Sequence, residues 1–497
     1  MSNATNQSPV VLKKKLATAV GAALLGTANG KTVEQRFTDS ETMLANFAGQ
    51  RQIPHSQFNW LGVLPTVNGV GNVHASESVS AYVERVHAGL IGSGEIWVDV
   101  NGDDSDPEAG AFAKPIETIE RACRVLSASR VFLIGSDDVN NPVLFDKFQF
   151  RGGDPTGHKI KIIEALGHCK IIEKSALVDA FDSVTWTPIV GMDKVFEFTK
   201  SSGKGDITKN IDVRAVLFES IREADGRAMR IPKRGSIASV NSTGVGWFDD
   251  GEKVYLRIQS QNIESIKSSV RAVYANQGTS RALIYGAKML LKAGKGSSMV
   301  FEGVNLQPLY LAPNRAELYV HGNVKVQYSQ DHGLDALGAI TYTQDMEIYA
   351  SKSDNFHYTD ATLSCKAVEI DCKSTFAGDV ATYGALAAGT DNGSAMHGTG
   401  DIVTFGGECS GNNGPDIVHS GTGKYWMVGV KANFSGNRSN GAEFHVTGGE
   451  MFLDTCHASD GEYDLRIDAG AVMNVYNTIY RTVYNLGTLN SYNPTLL

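Results

Sequence analysis

SGNNGPDIVHSGTGKYWMVGVKANF (Ser410–Phe434) runs directly into SGNRSNGAEFHVTGGEMFLDTCHA (Ser435–Ala458) and then SDGEYDLRIDAGAVMNVYNT (Ser459–Thr478). The three stretches are 25, 24 and 20 residues long. Each follows one plan: a Ser-Gly or Ser-Asp turn, a short strand about Ile417, Phe444 or Leu465, a glycine turn, and a second strand, WMVGV, MFLDT or VMNVY. A repeat of about 20 to 30 residues marks a solenoid rather than a sandwich. One coil of that size cannot bury its inner face, so stacked coils share a single long apolar core and only the ends need capping. The stretches therefore predict coils of a parallel β-helix. SMVFEGVNL (Ser298–Leu306), AELYVHGNVKVQY (Ala316–Tyr328) and DMEIYA (Asp345–Ala350) alternate apolar with polar residues as half-buried strands do, and extend the coils upstream. Glycine and asparagine at the corners suit the left-handed backbone that sharp turns need.

The chain has 497 residues, room for two or three domains or for one long repetitive one. Apolar residues make up 42% and charged residues 20%, an ordinary globular balance, but 53 glycines against 13 prolines imply many tight turns. A formal net charge of −9, with Lys13–Lys15 the only basic run, argues against nucleic acid or an anionic membrane as partner. The six cysteines are widely spread, with no CxxC pair and no histidine at zinc-ligand spacing, so free and mostly buried thiols are expected. Such thiols suit folding in a reducing cytoplasm. G-x-S-x-G, H-E-x-x-H and P-loop motifs are missing from the sequence, which leaves serine-hydrolase, zincin and nucleotide chemistry unsupported. No cofactor and no metal are expected.

Residues 1–90 look like a separate unit, with a helical stretch around Thr32–Ala48. Lys13–Lys15 followed by LATAVGAALLG (Leu16–Gly26) has the charged and apolar regions of a secretory signal, yet it is too short to span a bilayer and no A-x-A cleavage site follows. Membrane insertion is not expected. VDVNGDDSDPEAGAFAKPIETIERAC (Val98–Cys123) opens the β-rich part. Asp99, Asn101 and Asp103 match the first positions of an EF-hand loop, but Asp104 stands where glycine is required and Gly110 where a bidentate glutamate is required. After Pro115, the residues Ile116, Ile119, Cys123 and Leu126 fall on one side of a short amphipathic helix. Residues 91–130 thus read as entry strand and capping helix, 131–285 as irregular early coils or an insertion, 286–480 as regular coils and 481–497 as a tail. GWFDDGEKVYLRI (Gly246–Ile258) reads as a hairpin turning at Asp250-Gly251.

The strand, the Asp/Asn/Gly turn and the following P-I-x-T-I-x-x-A (Pro115–Ala122) resemble the opening of right-handed parallel β-helix proteins of the pectate-lyase type, including bacteriophage tailspikes. With the coils, the resemblance covers about Gly94 to Thr478. Gly21–Gly26 and Gly30–Gln35 are similar to the GAxLLG…GxTVEQ stretch of N-terminal segments that attach tailspikes and tail fibres to the virion. The resemblance implies an all-β, right-handed parallel β-helix with an N-terminal capping helix and a small, partly helical attachment region. It also implies a homotrimer on the virion tail, made in the host cytoplasm and acting outside the host cell, that docks to other tail or baseplate proteins through its N-terminus and recognises bacterial surface polysaccharide, capsule or O-antigen. Whether it also cleaves that glycan, as a glycosidase or a lyase, the residues leave open. The rivals are a spike or baseplate component without enzymatic activity and a secreted bacterial polysaccharide lyase.

Glycosidases use paired carboxylates, one to protonate the leaving oxygen and one to activate water or attack. In AVEIDCKS (Ala367–Ser374), if Val368, Ile370 and Cys372 point inward, Glu369 and Asp371 project together from the outer face, about 6 to 7 Å apart by strand geometry. The bland alternative is a solvated strand face. DNFHYTD (Asp354–Asp360) and TDNGSAMHGTGD (Thr390–Asp401) resemble D-G-F-N-Y-H and N-G-S-T-x-H-D-G elements of phage β-helix proteins, departing at Asn355, Thr359 and Gly398. They add Asp354 and His397 as catalytic candidates and His357 and Tyr358 as substrate-binding ones, with His357 and His397 equally readable as turn-bonding corner residues. Tyr425 and Trp426, beside Phe434, could line a glycan groove by stacking on sugar rings, or, for Trp426, belong to the core.

Overall fold

The computed structural model describes residues 65–67, 73–75 and 77–492, apart from 107, 125–127, 153–159, 174–185, 200–210, 224–226, 259–269, 277–279, 384–390 and 434–440. The N-terminal attachment stretch, Leu126 and Phe434 lie outside the described residues.

From Gly94 onward the chain winds as a right-handed parallel β-helix whose coils, among the described residues, build three long sheets: sheet 1 of twelve strands, sheet 2 of ten and sheet 3 of nine. One coil shows the path. Leu334–Leu337 lies in sheet 2, Ile340–Gln344 in sheet 1, Glu347–Tyr349 in sheet 3, and Phe356–Thr359 returns to sheet 2 one layer on. The layers are in register, with Leu334 beside Phe356, then Ser394, Ile417, Phe444 and Leu465. Apolar members of these inward rows join one core that runs from Ile96 to Val475. Strands Val483–Asn485 and Thr488–Ser491 continue sheets 2 and 1 beyond it.

The corners between sheets 1 and 3 are a column of left-handed residues, Asp345, Asp371, Gly406, Gly429, Thr455 and Asn477. Each of the first five donates its N–H to a carbonyl of the next coil, as Asp371 does to Phe405 (2.8 Å). A corner in this conformation satisfies the backbone while turning the chain sharply, which is why glycine recurs there.

The helix Ile119–Arg124 buries Ile119, Ala122 and Cys123, with Ile116, against the N-terminal end of the core. The acidic turn before it is architecture. Asp104 accepts the N–H groups of Glu117 and Thr118 at the helix start (2.9 and 3.0 Å), where unpaired donors favour a carboxylate. Asp99, Asp103 and Asp106 each accept a backbone N–H two residues on, all at 2.8 Å. All six cysteines are free and buried. Burial pushes the Cys123, Cys169, Cys365, Cys372 and Cys456 thiols up to about 12, so they are held as inert thiols.

Between His168–Ile172 and Arg281–Tyr285 the described residues leave the solenoid for two antiparallel sheets. Val245–Asp249 and Lys253–Ile258 form the hairpin, with Asp249 opposite Val254. Gly251 holds φ +98° at its turn, where Asp249 accepts its N–H (2.8 Å). The other sheet lays Ala215, Leu217 and Val273 against Tyr328, Tyr349 and Ala350 of the solenoid.

Candidate functional site

In sheet 2 the residues that alternate with the core row point outward. Leu334 and Phe356 are core, so Asp335 and His357, adjacent in the register, sit side by side on the outer face. One layer on, Thr359 is beside His397, which is beside Ser420. The loops that lead into these strands bring His332 and Asp354 to the same place. The result is a strip of three imidazoles and two carboxylates drawn from three successive coils.

The contacts within it are specific. His357 Nδ1 lies 2.9 Å from Asp335 Oδ1, and Asp335 also accepts from the Gln307 amide. The His332 ring stacks on His357, with centroids 3.7 Å apart and planes 7° from parallel. Asp354 accepts from the backbone and the side-chain nitrogen of Asn392, both at 2.8 Å. Its other oxygen is 3.5 Å from His332 Nδ1 and 3.8 Å from His397 Nε2. His397 Nδ1 lies 2.6 Å from Ser420 Oγ. Asp335 and Asp354 are buried, while the His397 side chain is 40% exposed, so the strip opens to solvent on its His397 side.

Charge follows position. Burial works against both members of the Asp335–His357 pair, but their mutual attraction outweighs it: the Asp335 carboxyl is held below the usual carboxylate range and the His357 imidazole keeps its proton above the usual value. His332, desolvated and repelled by His357, is pushed the other way. One ligand atom each from His332, Asp335 and His357, or from Asp354, His357 and His397, lie within 4.8 Å of one another, so either set could hold a metal ion.

Three of the expected residues, Asp354, His357 and His397, are thus brought together, and the other five are not. Glu369 points inward, not outward. It is 3% exposed, and its carboxylate accepts hydroxyl donations from Tyr358 (2.8 Å), Ser394 (3.0 Å) and Thr404 (3.1 Å). The strand Lys366–Ile370 turns Ala367 to the core, so Glu369 follows it inward and Val368 and Ile370 take the outer face. Asp371 is the exposed left-handed corner after that strand, so with Glu369 buried inward the two carboxylates form no outer pair. Tyr358 and Tyr425 are core residues, the Tyr425 hydroxyl lying 2.9 Å from Ser394 Oγ. Trp426 is buried on the outer side of sheet 1, edge-on to Phe405 with centroids 5.7 Å apart. None of the three lines a groove.

His332 and Asp335 were not singled out in the sequence. Both lie in QDHGLDAL (Gln330–Leu337), which aligns one coil upstream of SDNFHYT (Ser353–Thr359). Superposing the coils by their glycine or asparagine corner places Asp335 beside His357, so the signal lay in the repeat rather than in a motif.

No protein-family model matches the chain, and no curated protein matches it in sequence. Among solved structures it is similar to a complex of XylC with xylose, at 10% identity and a TM-score of 0.45, over 80% of this chain and 70% of that one. It is also similar to a glycoside hydrolase, at 10% identity and a TM-score of 0.44, over 81% of this chain and 95% of that one. At that degree of similarity neither shared chemistry nor a shared site follows.

Proposed function

We propose that the protein is a bacteriophage tailspike that recognises host surface polysaccharide, capsule or O-antigen, on the outer face of sheet 2. The observation that carries this proposal is the strip of His332, Asp335, Asp354, His357 and His397. Its groups are fixed by neighbours and open to solvent on the His397 side, so there they offer oriented donors and acceptors to sugar hydroxyls with little ordering left to lose. The N-terminal GAALLG…GKTVEQ stretch and the P-I-x-T-I-x-x-A entry support a virion-attached trimer, docked to the tail through residues 1–90. The net charge of −9 accords with a neutral or hydroxyl-rich ligand rather than a polyphosphate.

The test is binding of the purified full-length protein to intact host cells, to the same cells stripped of polysaccharide, and to the isolated glycans, with reducing ends and unsaturated uronates followed in parallel. Binding to intact cells and to the isolated glycans, but not to stripped cells, is expected, weakened at least tenfold in His357→Ala and His397→Ala. Equal binding to stripped cells overturns polysaccharide recognition, and unchanged binding by both variants moves the glycan off this strip.

A further inference from the structure

Asp354, His357 and His397 are organised in a way that mutual hydrogen bonding does not require. Each spends one polar atom on a neighbour and keeps another available. His357 uses Nδ1 on Asp335 (2.9 Å), His397 uses Nδ1 on Ser420 (2.6 Å), and Asp354 uses Oδ1 on Asn392 (2.8 Å). Of the atoms left over, His397 Nε2 and Asp354 Oδ2 are 3.8 Å apart, beyond hydrogen-bond reach. Yet one ligand atom of each of the three residues lies within 4.8 Å of the other two. Ligands held about 2.0 to 2.1 Å from a zinc ion stand roughly 3 to 3.5 Å apart, so modest side-chain shifts close the set.

A metal ligand that is a histidine characteristically donates its second ring N–H to a carboxylate or another acceptor, which fixes the tautomer and aims the free nitrogen. His357 and His397 both have such partners, in Asp335 and Ser420. The charge balance points the same way. Asp354 and Asp335 are 1% and 5% exposed, and among the described residues the cationic groups at ion-pair distance from them are imidazoles. Two buried carboxylates in such company gain from a divalent cation.

We infer that Asp354, His357 and His397 form a binding site for a divalent transition-metal ion of the zinc class, with Asn392, Asp335 and Ser420 orienting the three ligands. Two imidazoles and one carboxylate select such an ion over magnesium or calcium, which take oxygen ligands. His332 Nδ1, buried without a hydrogen bond, lies 3.5 Å from Asp354 Oδ2 and offers a further ligand atom beside the three. The exposed side of His397 leaves the ion a face open to solvent, where hydroxyl or carboxylate oxygens of a glycan complete its coordination. That last role rests on the function proposed above; the metal site itself does not.

The full-length protein, freed of metal with a chelator, is titrated with Zn²⁺ by calorimetry and with Co²⁺ by visible absorption, in the absence of glycan. One saturable equivalent per chain is expected, undisturbed by excess Mg²⁺ or Ca²⁺. That equivalent weakens on the order of 100-fold in His397→Ala and Asp354→Asn, and about 10- to 100-fold in Ser420→Ala. His445→Ala, two coils on and paired with Asp468, leaves it unchanged. A missing equivalent, or one that survives His397→Ala, overturns the site. If buried Asp354→Asn fails to fold, the partly exposed His397 carries the test. Glycan binding measured with and without chelator then separates the two proposals: metal bound without glycan recognition sinks the function alone, and glycan bound without a metal equivalent sinks the site alone.

Discussion

Glu369 is a carboxylate inside an apolar column, held by three hydroxyls and by no cation that any contact in the described residues reveals. Burial therefore raises its affinity for a proton, and the hydroxyl donors only partly offset this. A raised carboxyl stabilises the folded chain most below its unfolded value near 4.5 and loses that contribution as pH rises through the folded value. Glu369→Gln is accordingly expected to melt at or above the wild-type temperature at pH 7, with the two curves converging as pH falls to about 4.5. Glu369→Ala, which leaves a cavity and three hydroxyls without their acceptor, is expected to cost about 3 kcal/mol. A catalytic Glu369 would give a different result, full stability and lost activity in Glu369→Gln. Asp371 permits a sharper contrast. Its φ of +50° is a conformation that glycine adopts freely, so Asp371→Gly should hold or raise stability by about 1 kcal/mol in denaturant titration, with glycan binding intact. The sequence misplaced both residues for one physical reason: Lys366–Ile370 is buried on both faces, so its alternation cannot say which face is the lumen. Only alignment of Glu369 with Met427 and Leu453 on later coils does so, and the polar neighbours Thr343 and Thr404 in that row disguise it as an outer one. Asp354, His357 and His397 were legible because their coil-entry stretches resemble known elements, not because their spacing in the chain foretells contact.

Among the elements, the antiparallel insertion is attached to the solenoid by charge as well as by apolar packing. Glu302, in the strand Ser298–Glu302 of sheet 3, is 4% exposed and accepts from Arg271 of the insertion (Nη2, 3.0 Å) and from Gln327 (2.7 Å), with Lys170 at 3.4 Å. Burial alone would raise its proton affinity, but Arg271 and Lys170 reverse this and hold the carboxyl at about 2. Because that is below the unfolded value of 4.5, the stabilisation is complete above pH 4.5 and is lost as pH falls through about 2. Glu302→Gln, which strands two cations, should lower stability at pH 7 by about 3 kcal/mol. Its melting temperature should meet that of the wild type as both approach pH 2, and a constant gap down to that pH would show that the pair does not hold the insertion. The direction is opposite to that at Glu369, so the two variants distinguish a paired buried carboxylate from an unpaired one. The hairpin of the insertion could be read from Asp250-Gly251 between two β-rich runs, and the capping helix from Ile116, Ile119 and Cys123, since local chemistry determines both. Its docking on sheet 3 could not, because Arg271 and Glu302 are brought together by the return of the chain from an excursion that no local pattern measures.

At the scale of the whole molecule the repeat determines the fold, and it also determines how the molecule should come apart. Each coil touches its neighbours above and below, so opening an inner coil breaks two apolar interfaces while opening an end coil breaks one. The two ends differ further. The first coils are covered by the buried face of the helix Ile119–Arg124, and the last described strands, Val483–Asn485 and Thr488–Ser491, are largely exposed. The solenoid should therefore fray from the C-terminal end, one coil at a time. In hydrogen exchange at neutral pH, amides of 483–491 should exchange first, those of Tyr463–Ile467 and Val472–Tyr476 next, and those from Leu334 to Phe405 only through global opening. Phe444→Ala, in the core row, should cost about 3 to 5 kcal/mol and merge the coils beyond it into the early-exchanging group, leaving the site strip protected. Simultaneous exchange of all coils in the wild type would mean that the solenoid unfolds as one unit and that the nearest-neighbour account of its stability is wrong. The strip of His332, Asp335, Asp354, His357 and His397 lies several coils from the fraying end, in the part of the column where side chains drawn from three coils can hold a fixed geometry.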